Sequence, residues 1–205
     1  MIIHGSRKSN LIGLSFDDGP DMGEIRLISV LNEAGIRATF FWIPEKVSAF
    51  ADQYPKEFTQ LLDLVKKGGH EIGLHGLTCR RPNLLARFRI ENQELVAEAR
   101  TKLSERLSYP PNLYRPHCFR IFRTPVEMKT VLGSYQLSPD DEPAKYLLAF
   151  VKARAGDIIC GHDSRDCDLN YGVATKIADF IPQIAKILAT RGLKAVTVSE
   201  ATKRH

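Results

Sequence analysis

Short apolar runs alternate with longer segments of helical periodicity along the whole chain, and this alternation constrains the fold more than any other feature. Residues 11–16 and 37–43 are predicted to form buried strands. Residues 24–35 carry the spacing of an amphipathic helix that ends at a glycine. About seven such strands alternate with helices, which predicts a parallel α/β fold. The repetition fits a barrel of βα units, in one domain over residues 1–205.

The remaining predicted elements follow the same order. Further strands are predicted at residues 70–75, 112–116, 134–138, 157–162 and 194–200, and further helices at residues 56–69, 91–108, 124–133, 142–156 and 172–192, the last with Pro182 inside it. No glycine-rich phosphate-binding motif follows the first strand, which argues against a nucleotide-binding fold.

Charge and hydropathy exclude several classes of function. The formal net charge of +5 is mild for 205 residues and comes without a nucleic-acid-binding motif, so we expect no nucleic-acid partner. No run approaches the roughly 18 apolar residues of a transmembrane helix. The first ten residues lack the apolar core of a signal peptide, and unless a leader precedes them we expect a cytoplasmic protein, free or at a membrane surface.

The four cysteines are Cys79, Cys118, Cys160 and Cys167, and none forms a close C-x-x-C pair. In a chain without a leader, the expected state is four reduced thiols. Cys160 lies inside an apolar strand and is predicted to be a core residue, whereas Cys167 lies in a polar loop with nothing beside it that marks a nucleophile.

Polar residues gather where the predicted strands end. The carboxyl ends of parallel strands share one edge of a sheet, and in such folds the chemistry occurs there. The residues at these ends are Asp17 and Asp18, His75, Arg115, Asp140 and Asp141, and His162 and Asp163. Acids, histidines and an arginine at one edge are difficult to explain as solvated loops, and they predict an active site.

The adjacent carboxylates of Asp17 and Asp18 indicate a cation. Each raises the pKa of the other unless a positive charge lies nearby, and along an extended chain the two side chains point in different directions. One can then bind a metal while the other faces a substrate or water. The alternative is a plain turn before Gly19 and Pro20. With His75 at a matching strand end, we predict zinc or another divalent first-row ion on Asp18 and His75, with a third ligand shortly after His75.

Five segments together resemble the polysaccharide deacetylases, carbohydrate esterases with a NodB-type homology domain. The segments are SFDDGP (residues 15–20), GHEIGLHGLTC (69–79), YRPHC (114–118), LSPDDEP (137–143) and GDIICGHD (156–163). They follow the order of the family motifs over nearly the whole chain, although the fourth match is weak. The resemblance implies a deformed (β/α) barrel and metal-dependent removal of an acetyl group from a sugar.

The resemblance also implies a role for each matching residue. Asp17 would be the general base, Arg115 would hold its carboxylate, and His162 would be the general acid that protonates the leaving amine. Asp140 or Asp141 would orient His162. Asp18 and His75 would be metal ligands, with the family's third ligand at the position of Cys79.

The second motif departs from the family at that third ligand, because Cys79 stands where the family has histidine. A cysteine thiolate is a legitimate zinc ligand, but its extra negative charge would weaken the metal as a Lewis acid. In the alternative interpretation Cys79 is a small buried apolar residue, only Asp18 and His75 remain as ligands, and metal binding would be weak or absent.

The third motif departs from the family too. After Arg115 and Pro116 the family has Pro, Tyr and Gly, whereas this chain has His117, Cys118 and Phe119. The bulk of Phe119 would shift the backbone N–H that the family uses in its oxyanion hole. His117 is either a substitute ligand or, in the interpretation that we favour, a loop residue.

These observations predict a metal-dependent hydrolase that removes an acetyl or formyl group from an amino sugar, an oligosaccharide or a lipid-linked sugar. The altered motifs support an alternative, a silent family member that binds a glycan or a protein partner. Retention of Asp17, Arg115 and His162 argues against it, because a binding module needs no proton-transfer residues. A third possibility is amide hydrolysis on a substrate that is not a sugar.

Overall fold

A computed structural model of the protein describes residues 1–76, 78–79, 93–116, 127–165 and 167–203. Eight strands form one sheet: β1 (Leu11–Gly19), β2 (Thr39–Trp42), β3 (Glu71–His75), β4 (Leu113–Arg115), β5 (Lys129–Thr130), β6 (Tyr135–Gln136), β7 (Ile158–His162) and β8 (Lys194–Val196). Their order is β5-β4-β3-β2-β1-β7-β6, β8 pairs with the start of β1, and every strand pair is parallel.

Helices fill most of the connections between these strands. They are α1 (Glu24–Glu33), α2 (Pro44–Gln53), α3 (Pro55–Gly68), α4 (Gln93–Leu107), α5 (Pro143–Lys152), α6 (Val173–Ala178), α7 (Ile181–Thr190) and α8 (Val198–Ala201). The larger core cluster packs α1, α3, α5 and α7 against strand residues such as Leu14 and Phe40. No helix in the described part of the chain is long and apolar enough to cross a membrane.

The sheet curls because its two edges are consecutive strands of the chain. Seven flat strands from β5 to β6 would span roughly 29 Å at normal strand spacing. The five residue steps from Thr130 to Tyr135 reach at most about 18 Å. The edges must therefore approach each other, and the predicted deformed (β/α) barrel of parallel strands is confirmed.

Side-chain alternation along β1 decides what lies inside the barrel. Leu14 and Phe16 point outward into the helix-facing core, whereas Ser15 and Asp17 point inward to Arg115. The barrel interior is therefore apolar at one end, around Phe41 and its neighbours, and polar where the strands end.

Three predicted elements were wrong in their details. The helix predicted at 124–133 gives way to β5 (Lys129–Thr130) in its described part, since Lys129 and Thr130 pair with β4. The helix predicted at 172–192 is two helices, because Pro182 occupies the first turn of α7. The last predicted strand stops at Val196, where Thr197 caps α8 and shares a capping box with Glu200.

Candidate active site

Asp17 is held by a buried arginine at the end of β1. Arg115 Nη1 donates to Asp17 Oδ1 at 2.6 Å, and both side chains are buried. The same nitrogen donates to Ser15 Oγ at 2.9 Å, and the guanidinium lies 4.0 Å from the centre of the Phe41 ring. Burial opposes the charged form of Asp17, but Arg115, His75 and His162 outweigh it, so its pKa is lowered. Asp17 is therefore ionised and can accept a proton.

Cys160 also contacts Asp17, which the sequence did not indicate. Its thiol donates to Asp17 Oδ2 at 3.2 Å, while burial raises the pKa of that thiol and keeps it protonated. The two residues meet because Cys160 pairs with Ser15 in the β1–β7 register, which places its side chain on the barrel interior. Register, rather than hydropathy, was the signal that could have identified it.

Asp18 turns toward His75 through an unusual backbone conformation. Its φ of +75° lies in the left-handed region, where the β1–β2 register shifts between Asp17 and Gly19. Asp18 Oδ1 consequently lies 3.2 Å from His75 Nε2. The two residues that sequence pairs as ligands are thus adjacent in space.

The orientation of His75 indicates a cation between it and Asp18. His75 Nδ1 lies 2.9 Å from the carbonyl oxygen of Arg115, which can only accept, so Nδ1 carries a proton. Nε2 therefore faces a carboxylate, which is favourable only with a proton or a metal ion between them. Burial disfavours charge on His75, but Asp17 and Asp18 outweigh it and raise its pKa. The carboxylate and imidazole donors, with a carbonyl fixing the ring, fit a divalent first-row metal.

Cys79 has no free thiolate to offer as the third ligand of this pair. It forms a disulfide with Cys167, and a disulfide sulfur carries no thiolate charge. Among the described residues, the one group of three potential ligand atoms within 4.8 Å of one another is Glu45, Cys79 and Cys167, without Asp18 or His75. The expectation of reduced thiols is therefore wrong for Cys79 and Cys167. His117, Cys118 and Phe119 lie outside the described residues.

His162 is oriented by a backbone carbonyl and by neither predicted aspartate. Its Nδ1 donates to the carbonyl oxygen of Leu137 at 2.7 Å, so Nε2 is the ring nitrogen that can exchange a proton with a substrate. Asp140 is exposed and pairs with Arg165 at 2.8 Å. Asp141 accepts from the Ser138 backbone N–H at 2.7 Å and pairs with Lys145 at 2.8 Å. The orienting role proposed for Asp140 or Asp141 is therefore corrected.

A buried polar cluster next to the site was also missed from sequence. Lys46 Nζ donates to Ser164 Oγ at 2.6 Å, and Ser164 donates to Asp21 at 3.3 Å. Glu24 accepts from the Trp42 indole at 2.9 Å. Burial, together with the charges of Glu24 and Asp21, raises the pKa of Asp163, whose two carboxylate oxygens are buried without a hydrogen-bond partner among the described residues. Because burial is the largest cause that raises the pKa of both carboxyl groups, the pair holds a proton near neutral pH.

That proton predicts a pH-dependent stability. Burial, with the charge of Asp21, raises the pKa of Glu24 from 4.5 to about 8. Between these two pH values the folded state keeps a proton that the unfolded state has lost. The contribution of Glu24 to the free energy of unfolding therefore falls as pH rises. We expect Glu24→Gln to remove this fall, although Asp163 and Lys46 still titrate. Chemical denaturation of both proteins at pH 5, 6.5 and 8 measures it, and parallel profiles would contradict it.

The family model described as "Polysaccharide deacetylase" matches residues 4–124, more than half of the chain. The chain belongs to the polysaccharide deacetylase family. A peptidoglycan-N-acetylglucosamine deacetylase of Bacillus cereus is 30% identical over 202 residues. The match covers 93% of this chain and 87% of the relative. The Bacillus subtilis protein YheN is 32% identical over 119 residues, covering 56% of this chain but only 39% of its own length.

Solved structures agree on the fold. A peptidoglycan N-acetylglucosamine deacetylase in complex with 4-naphthalen-1-yl-N-oxidanyl-benzamide superposes with a TM-score of 0.73 at 21% identity, over 100% of this chain and 93% of the other. A CE4 family pseudoenzyme from Bacillus anthracis also gives a TM-score of 0.73, at 16% identity, over 98% of this chain and 68% of the other. This fold therefore occurs both in a structure described as a deacetylase and in one described as a pseudoenzyme.

Proposed function

We propose that this family member is a metal-dependent hydrolase that removes an acetyl or formyl group from an amino sugar within a glycan. One observation carries the proposal: the Asp17–Arg115 pair lies beside the Asp18–His75 pair at the strand ends. The name of the Bacillus cereus relative supports an N-acetylglucosamine glycan as the substrate. Oligosaccharides and lipid-linked sugars share that chemistry.

Asp18 and His75 would hold the metal, which when bound supplies polarisation of the acyl carbonyl and a more acidic water. Asp17 accepts the proton of the attacking water, because Arg115 and the lowered pKa keep its carboxylate ionised. His162 donates a proton from Nε2 to the departing nitrogen, with Nδ1 anchored on Leu137. A proton on that nitrogen is needed because an amine anion is a poor leaving group.

The proposed catalytic domain spans residues 1–205, and its support is one sheet with strands from Leu11 to Val196. Location stays a prediction. The Cys79–Cys167 disulfide is typical of oxidising compartments and weighs against the cytoplasmic expectation.

A second candidate is a silent member that binds glycan without hydrolysing it. The observation in its favour is the disulfide at Cys79, which removes the family's third ligand position. The ion-paired Asp17 and the anchored His162 favour the hydrolase, since glycan binding alone does not require them.

Metal content tests the proposal without relying on activity. Oxidised protein titrated with zinc is expected to bind about one equivalent at Asp18 and His75. Asp18→Asn and His75→Gln should lose most of it, whereas Asp179→Asn, on an exposed ion pair with Arg26, should not.

Acetate release from N-acetylglucosamine oligosaccharides then separates the two candidates. Turnover that follows the metal content of the variants supports the hydrolase. Retained metal with glycan binding but no release from any acetylated sugar would support the silent member. Equal zinc in all four proteins would remove Asp18 and His75 from the ligand list.

A further inference from the structure

Three side chains from separate segments converge beside the proposed active site. Cys79 follows β3, Cys167 follows β7, and Glu45 is the second residue of α2. Their Sγ and carboxylate oxygen atoms all lie within 4.8 Å of one another. Cys79 is buried, whereas Glu45 and Cys167 are exposed, so the group opens to solvent on one side.

Glu45 is fixed against the cysteine pair rather than merely near it. Its Oε2 accepts from the Cys79 backbone N–H at 3.1 Å and lies 3.3 Å from Cys79 Sγ. Because Cys79 has no S–H in the disulfide, that second contact is carboxylate against sulfur. The carboxylate therefore already occupies the position of a further ligand on any ion held by the two sulfurs.

We propose that Cys79, Cys167 and Glu45 form a redox-gated zinc site, separate from Asp18 and His75. In the oxidised protein the disulfide closes it. A dithiol reductant gives two electrons and two protons to the S–S bond, forming two S–H groups, and becomes a disulfide itself. Zinc then displaces both thiol protons and binds two thiolates and the Glu45 carboxylate, with no change in its own oxidation state.

The chemistry of the group favours zinc over other abundant cations. Two thiolates with one carboxylate suit a tetrahedral zinc ion with water in the fourth position, whereas magnesium and calcium prefer oxygen ligands. Three anionic groups within 4.8 Å repel one another unless a cation lies between them. The Cα–Cα separation of 5.2 Å between the cysteines already brings both thiols to one position.

The site would keep the same segments joined in both redox states. The β3 segment carries His75 and the β7 segment carries His162, so zinc would replace the covalent link between the loops that position both histidines. This inference does not rest on the proposed activity.

Cobalt binding to anaerobically reduced protein provides the test, because thiolate ligands give a sulfur-to-cobalt charge-transfer band that carboxylate and imidazole do not. Reduced protein should show this band and bind one more equivalent of metal than oxidised protein. Cys167→Ser should lose the extra equivalent and most of the band. Glu45→Gln should bind zinc at least about 10-fold more weakly.

His75→Ala separates this site from the one proposed for catalysis. It should retain the thiolate band, even if the hydrolase proposal fails. A band lost in His75→Ala but kept in Cys167→Ser would overturn the inference and return Cys79 to the Asp18–His75 ion. Reduced protein without the band would overturn it outright.

Discussion

Asp17→Asn is expected to abolish acyl release, lowering kcat by at least about 100-fold, the usual contribution of a general base. Asparagine keeps the shape of the side chain but cannot accept the proton of the attacking water. The metal content should remain that of the wild type, because Asp18 and His75 are unchanged. Acetate release from N-acetylglucosamine oligosaccharides, with metal analysis on the same sample, measures both.

The control must account for Arg115, whose buried charge loses its carboxylate partner in this variant. Rates are therefore compared at a temperature where circular dichroism shows both proteins folded. Asp179→Asn changes an exposed aspartate that pairs with Arg26, and it should turn over like the wild type. Normal turnover by Asp17→Asn would show that another group is the base.

Arg115→Met is expected to destabilise the fold by about 3–5 kcal/mol, the cost of leaving a buried carboxylate without its partner. Arg115 and Asp17 are 0% and 1% exposed, so water cannot take over the role of the guanidinium. Methionine keeps much of the apolar stem but loses the donors to Asp17 and Ser15 and the contact with Phe41. Equilibrium denaturation in urea measures the change.

The double variant Asp17→Asn/Arg115→Met should recover part of that loss of stability, because it also removes the buried carboxylate that Arg115→Met leaves without a cationic partner. Arg26→Met breaks an exposed pair and should cost less than about 1 kcal/mol. Two results would contradict a stabilising Asp17–Arg115 pair. One is a loss of stability in Arg115→Met no larger than in Arg26→Met. The other is a double variant no more stable than Arg115→Met.

Sequence predicted the site best where strand geometry determines it. Parallel strands place their carboxyl ends at one edge, so Asp17, Asp18, His75, Arg115 and His162 could be grouped before any coordinates. The family motifs then assigned their roles. The β1–β7 register pairs Asp17 with His162, and the β3–β4 register pairs His75 with Arg115, as that grouping requires.

Sequence failed where contacts depend on how loops approach one another. Cys79 and Cys167 are 88 residues apart, and nothing in either segment indicates that their thiols meet. The Leu137 carbonyl that orients His162 has no side-chain signature at all. Asp21, Glu24 and Lys46 are buried, and no sequence feature marked them as members of one cluster.

Asp18 is subject to opposing demands from its backbone and its side chain. A φ of +75° is comfortable for glycine and costs an aspartate roughly 1–2 kcal/mol. Glycine, however, has no carboxylate to present to His75. Selection for stability alone would therefore favour glycine at this position, and a variant engineered in that way would lose the carboxylate of the proposed metal site.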